Sequence, residues 1–123
     1  MTKSDTKLIE KKTGIALPEH YVELVTSYPN ELAQTGAPDF ELFDDPQLVI
    51  EENLDVRKNG YFGEEWPEQY FIIGRNGCGD YYVILHRSTE FSVGFANHEI
   101  MECNKYADSR EELIRKLLQE TRN

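Results

Sequence analysis

The side chains best suited to chemistry in this chain lie in its second half. Gly74-Arg75-Asn76-Gly77-Cys78-Gly79 has the glycine density of a loop that cradles phosphate. Such a loop needs a helix N-terminus after its glycines and usually a Lys followed by Ser or Thr, so that N–H groups and a positive charge converge on the anion. Here the glycines run into Asp80 and an apolar stretch, so the charge and the following element are both wrong. Glycines at a tight connection need only positive φ to account for them, and the segment reads as the turn of a β-hairpin. Cys78, His86, His98 and Cys103 are four zinc-binding side chains. No two of them form the close pair, such as Cys-x-x-Cys, that holds a structural zinc knuckle. No metal or other cofactor is expected. Cys78 as a nucleophile, with His86 or His98 as its base, lacks a third group to orient that base. Glu51-Glu52 and Glu64-Glu65 are paired acids, but carboxylates act as acid and base only where a cleft separates their pKa values. On an open surface they are simply solvated. These residues point away from an enzyme.

A better pattern is acid around an aromatic. Asp39, Glu41, Asp44, Asp45, Glu51, Glu52 and Asp55 crowd one segment, and Glu64, Glu65 and Glu68 surround Trp66 in the next. An acidic rim about an aromatic anchor is what a tight site for a basic protein contains. The candidate partner-binding residues are Glu51, Glu52 and Asp55, then Glu64, Glu65, Trp66 and Glu68, and further along Asp80, His98 and Glu99. Two plainer alternatives stand beside this. Trp66 is equally a core residue, because large aromatics are mostly buried. Asp80 and the pair His98-Glu99 are equally turn-formers whose side chains bond nearby backbone. The formal net charge of −10 argues against a nucleic-acid backbone or an anionic membrane as partner, since both require a basic face. It suits a basic protein, although acidity also serves solubility alone.

The elements that position these residues follow from periodicity and punctuation. At 123 residues the chain is one domain with a single core. No apolar run approaches a membrane span, and the polar start Met1-Thr2-Lys3-Ser4-Asp5 is not a signal peptide, so a cytoplasmic protein with reduced Cys78 and Cys103 is expected. Asp5 caps a first helix ending at Gly14. Leu17-Pro18 opens a second, with Leu17, Tyr21, Leu24, Val25 and Tyr28 on its buried face, Glu19, His20 and Glu23 towards water, and Pro29 as its stop. From Asn30 to Asp39 a connection is expected, then a short edge strand from Phe40 to Phe43. Asp45-Pro46 starts a third helix running to about Lys58, burying Leu48, Val49 or Ile50, and Leu54, and stopped at Asn59-Gly60. An ordered loop carries Tyr61 to Gln69. The apolar runs from Tyr70 to Ile73 and from Tyr81 to Leu85 form a hairpin central to a sheet, because strands this apolar are covered on both faces. Runs from Phe91 to Ala96 and from Glu99 to Cys103 extend it into a meander of three or four antiparallel strands. Ser109 and Glu112 match a capping box opening a last helix with Leu113, Ile114, Leu117 and Leu118 as its apolar stripe. The result is an α+β domain, helices packed on a central antiparallel meander.

In order and wording these elements resemble the SUKH superfamily, which includes the yeast cell-wall regulator Knr and many bacterial toxin-immunity proteins. The resemblance rests on the Leu17-Pro18-x-x-Tyr21 helix start, the run from Asp45 to Asn53, and Trp66 ahead of Ile73-Gly74. It continues through Gly79-Asp80-Tyr81-Tyr82, Asn97-His98-Glu99 and Ala107-Asp108-Ser109, spanning about Gly14 to Leu118. It implies a non-enzymatic binding protein, in bacteria most often one that neutralises a toxin, frequently a nuclease, by covering its active site. An intracellular regulatory scaffold, as in the yeast branch, is the alternative it carries. A small ligand-binding domain with a pocket near Trp66, Asp80 and His98 is a third.

Overall fold

The computed structural model of the chain describes residues 1–33, 40–98 and 102–122. Helix α1 (Lys3–Thr13) opens on a reciprocal capping box. The Thr2 hydroxyl accepts from the Asp5 N–H at 3.1 Å, and the Asp5 carboxylate accepts from the Thr2 N–H at 2.9 Å. Thr2 is thus the cap, and Asp5, expected in that role, is its partner one turn in. Helix α2 (Glu19–Thr26) buries Tyr21, Leu24 and Val25, as the spacing predicts. His20 does not stand in water beside Glu19 and Glu23. Its Nε2 lies 3.1 Å from the Ser88 carbonyl oxygen, and its ring meets Phe91 edge-on. A one-turn helix, α3 (Asn30–Ala33), replaces the first part of the expected connection. Residues 34–39, Asp39 among them, lie outside the described residues.

Helix α4 (Pro46–Asn59) starts as expected, with the Asp45 carboxylate accepting from the Gln47 N–H at 2.9 Å and Pro46 in the first turn. Its buried side is Val49, Ile50, Asn53 and Val56, while Leu54 is 42 % exposed and Leu48 only half-buried. The helix is therefore turned from the all-apolar stripe, and it places an asparagine in the core. Helix α5 (Arg110–Arg122) begins at Ser109, whose hydroxyl accepts from the Glu112 N–H at 3.1 Å. Glu112 returns its bond to the Asp108 N–H, one residue before the position a standard box would use. Leu113, Ile114 and Leu117 are buried. Among the described residues no helix is long and apolar enough to cross a membrane.

Among the described residues five strands, β1 (Phe40–Leu42), β2 (Tyr70–Asn76), β3 (Tyr81–Leu85), β4 (Val93–Asn97) and β5 (Glu102–Ala107), form one sheet in chain order with every neighbour antiparallel. The α+β meander is as expected, four strands from β2 to β5 with the expected short strand β1 at its edge. The hairpin connection is shorter than expected, because Gly74, Arg75 and Asn76 pair with β1 and continue the strand. The Asn76 side-chain oxygen then accepts from the N–H groups of Cys78 and Asp80, closing the turn. Strand β4 starts at Val93, later than Phe91, and β5, described from Glu102, runs on to Ala107, beyond the expected Cys103. Residues 99–101, with Glu99, lie outside the described residues.

Consecutive residues Phe71, Ile72 and Ile73 are fully buried, and Tyr82, Val83 and Ile84 nearly so, so both faces of the central strands are covered. On one face Phe71 meets Tyr21 of α2, and the Tyr82 and Tyr106 hydroxyls both donate to Glu120 of α5 at 2.8 Å. On the other face the rings of Tyr61 and Trp66, from the loop before β2, lie 5.3 and 6.0 Å from Tyr81.

Asn53 explains the turned helix. β1 pairs only with residues 74–76 of β2, so among the described residues the backbone of Ile72 has no strand beside it on that edge. The Asn53 amide supplies the missing pair: Nδ2 donates to the Ile72 carbonyl at 2.9 Å and Oδ1 accepts from the Ile72 N–H at 2.8 Å. A primary amide carries the donor and acceptor of a peptide group, so one side chain stands in for a strand. Arg57 continues the edge, donating to Asn53 Oδ1 at 3.0 Å and to the Tyr70 carbonyl at 2.9 Å. The Trp66 indole N–H donates to that same carbonyl at 2.9 Å, which fixes the loop carrying the candidate site.

Candidate protein-binding site

The site starts from the turn that follows α4. Gly60 ends the helix at φ 81°, and Tyr61 and Glu64 then exchange both backbone hydrogen bonds, at 2.8 and 3.0 Å, around Phe62-Gly63. Phe62 has φ 48° and Gly63 φ 84°, which makes a type I′ turn. That turn suits Asn-Gly, and a phenylalanine at its first central position is strained. Phe62 is nonetheless 61 % exposed, the most exposed of the large apolar residues described. Its ring stacks on His98 at 4.8 Å and meets Tyr61 edge-on at 4.9 Å. Gly79 lies beneath it, where a Cβ would come within 3.1 Å of the ring. The buried Tyr61 hydroxyl donates to the Gly79 carbonyl at 2.7 Å and ties the turn to the β2–β3 hairpin.

Beside Phe62 a cleft of about 350 Å³ runs between this loop and the strands β4 and β5. Its floor is aromatic, with Tyr61, Trp66 and Tyr70, backed by Ala96 and Cys103. Its rim carries the exposed Glu64 and Glu65, and among the described residues no salt bridge reaches either carboxylate. Among the described residues no lysine or arginine lines the cleft. Burial raises the Cys103 thiol above its ordinary pKa, against the lowering effect of a hydrogen bond with Tyr70. A thiol held protonated is a poor nucleophile, so the cleft floor is chemically quiet.

Asp80 is buried and fully engaged. It accepts from the His98 N–H at 2.8 Å, from His98 Nδ1 at 2.5 Å and from Asn76 Nδ2 at 2.9 Å. Burial alone would raise its pKa. The His98 backbone bond, the Asn76 and His98 side-chain bonds and the imidazole charge outweigh that and leave it below the ordinary carboxylate value. A depressed folded pKa gives stability that is present above the unfolded value, near pH 4, and is lost as pH falls through the folded one. Asp80→Asn is therefore expected to be less stable than the parent at neutral pH, with the difference shrinking below about pH 4. Urea midpoints measured across that range check it. A difference that does not change with pH would contradict it.

The sequence-predicted residues fall into separate groups. Glu64, Glu65 and Trp66 meet at the cleft, but Trp66 is 7 % exposed and forms its wall instead of projecting as an anchor. Asp80 and His98 form the turn-fixing pair, with Phe62 seated on His98, and neither lines the cleft. Glu52 is half-buried, accepting from the Tyr81 hydroxyl and pairing with Arg75 at 3.4 Å, so its first role is structural. Glu51 and Asp55 are exposed on α4, each bonded one turn along, to Gln47 and Asn59. Glu68 pairs with Arg87 at 3.2 Å and lies 3.3 Å from His86. The zinc candidates do not converge: among the described residues no group of three His, Cys, Asp or Glu side chains is placed to hold a metal. Sequence reading missed Phe62, Tyr61 and Tyr70. The available signal was Gly63, which marks Phe62-Gly63 as a two-residue turn and so exposes the residue before it.

No curated protein and no solved structure matches the chain. The model of the SMI1 / KNR4 family (SUKH-1) matches residues 1–116. With that match covering nearly its full length, and with the α+β meander that the resemblance implied, the chain belongs to the SMI1 / KNR4 family (SUKH-1).

Proposed function

We propose that this protein is a non-enzymatic inhibitor of the immunity type, acting in the cytoplasm by binding a basic toxin one-to-one and covering its active site. One observation carries the reading: strained, exposed Phe62 stands beside a cleft rimmed by carboxylates with no salt-bridge partner among the described residues, on a chain of net charge −10. An exposed aromatic next to desolvated aromatic walls supplies the apolar centre of an interface, and the acids supply orientation and encounter rate. Inhibition is then steric and electrostatic, with no bond made or broken. The acids of α4 and of the 61–69 loop meet the basic surface of the toxin together.

The experiment is co-expression with a toxin encoded beside its gene. Growth is expected to be restored and a one-to-one complex recovered. Its association should slow severalfold between about 50 and 200 mM salt, since exposed charges are screened over the Debye length. Absence of rescue, with capture of housekeeping regulators in its place, would overturn this reading in favour of a regulatory scaffold.

A further inference from the structure

The cleft beside Phe62 has a definite chemical preference. Its floor presents the rings of Tyr61, Trp66 and Tyr70, and its rim presents Glu64 and Glu65 with no counter-charge among the described residues. Aromatic faces attract cations, and carboxylates at the mouth exclude anions. Its volume, about 350 Å³, lies at the small end of the roughly 300–1,000 Å³ range of ligand pockets. That is room for one long side chain. A compact ammonium holds its hydration shell tightly, whereas a guanidinium is planar, weakly hydrated, stacks on rings and forks onto carboxylates. We infer that this cleft is a subsite for the guanidinium of a single arginine side chain presented by the partner. The aromatic floor takes the plane of the guanidinium, and Glu64 and Glu65 accept its N–H groups.

This inference rests on the reading of this face as the one that meets a basic protein, but its test needs no partner. Trp66 is the only tryptophan, so its fluorescence and its indole N–H resonance report on the cleft directly. The full chain is titrated at low salt with Nα-acetyl-arginine amide, and in parallel with the lysine and citrulline analogues. Arginine amide is expected to give a saturable change with a dissociation constant in the millimolar range, as befits one isolated side chain. Citrulline, its neutral near-isostere, should bind at least about tenfold more weakly, and lysine should fall between them. The double variant Glu64→Gln, Glu65→Gln changes only exposed side chains, so its melting temperature should hold while arginine binding drops about tenfold or more. Equal responses to citrulline and arginine, or no saturable change up to about 100 mM, would overturn the subsite. The two readings fail separately. A bound arginine with no toxin neutralised leaves the subsite standing and removes the inhibitor. A toxin neutralised as well by the double variant, with no arginine bound, removes the subsite alone.

Discussion

Asn53→Leu is expected to lower the unfolding free energy by about 3 kcal/mol, because it leaves a buried N–H and a buried carbonyl of Ile72 without partners. Leucine keeps asparagine's branching at Cγ but carries bulkier methyl groups, so some overpacking adds to the lost edge pairing. The Asn53 amide also donates to the Val49 carbonyl at 2.9 Å and accepts from Arg57, so the change additionally removes one bond holding that guanidinium in place. For a domain whose whole stability is about 5–15 kcal/mol, this is a large fraction. A thermal melt should fall by roughly 10 °C. Asn53→Asp isolates the cause. It keeps the shape and the acceptor facing Ile72 N–H, but turns a carboxylate oxygen towards the Val49 and Ile72 carbonyls, where a donor stood. That acid is favoured in its neutral form, so its folded pKa is raised. The variant's stability is then fullest below the unfolded value, near pH 4, and falls as pH rises through the folded one. Urea unfolding near pH 4 and pH 7 measures both effects. A loss below about 1 kcal/mol for Asn53→Leu would mean that water or a backbone shift satisfies the strand edge.

The same residue shows how far the sequence carries the fold. Helix boundaries at Gly14, Pro18, Asp45 and Gly60 were legible because each residue acts locally, through a fixed φ or a cap. The turned face of α4 was not, because an asparagine inside a helix reads as polar surface until the sheet edge it completes is known. The end of β2 was misplaced for a similar reason. Gly74-Arg75-Asn76 looks like turn chemistry, and only the presence of β1 beside it makes it strand. At the candidate site, sequence brought Glu64, Glu65 and Trp66 together because they are neighbours in the chain. It did not join them to Tyr70, Ala96 and Cys103, which reach the cleft through strand pairing across the sheet. Nor did it separate Glu52, tied up by Tyr81 and Arg75, from the exposed acids of the rim.

Phe62→Asn is expected to move stability and partner binding in opposite directions. Asparagine tolerates the left-handed backbone that the first position of a type I′ turn demands, so it relieves about 1–2 kcal/mol of strain at φ 48°. It gives up the stacked and edge-on contacts with His98 and Tyr61, worth about 1 kcal/mol together at so exposed a ring. The net result is a protein at least as stable as the parent, by up to about 1 kcal/mol. Phe62→Ala loses the same contacts and keeps the strain, so it should be less stable than the parent by about 1 kcal/mol. If Phe62 anchors the interface, both variants should bind the toxin at least about 30-fold more weakly, the loss of a hot-spot side chain worth about 2 kcal/mol or more. Urea unfolding and titration calorimetry with the partner separate the two quantities. A packing role predicts the reverse: Phe62→Asn would lose about 2 kcal/mol of stability and bind as the parent does. The contacts with His98 and Tyr61 offset only part of the strain at φ 48°, and at 61 % exposure burial adds little, so under the proposed binding role the two variants are expected to move partner affinity more than stability.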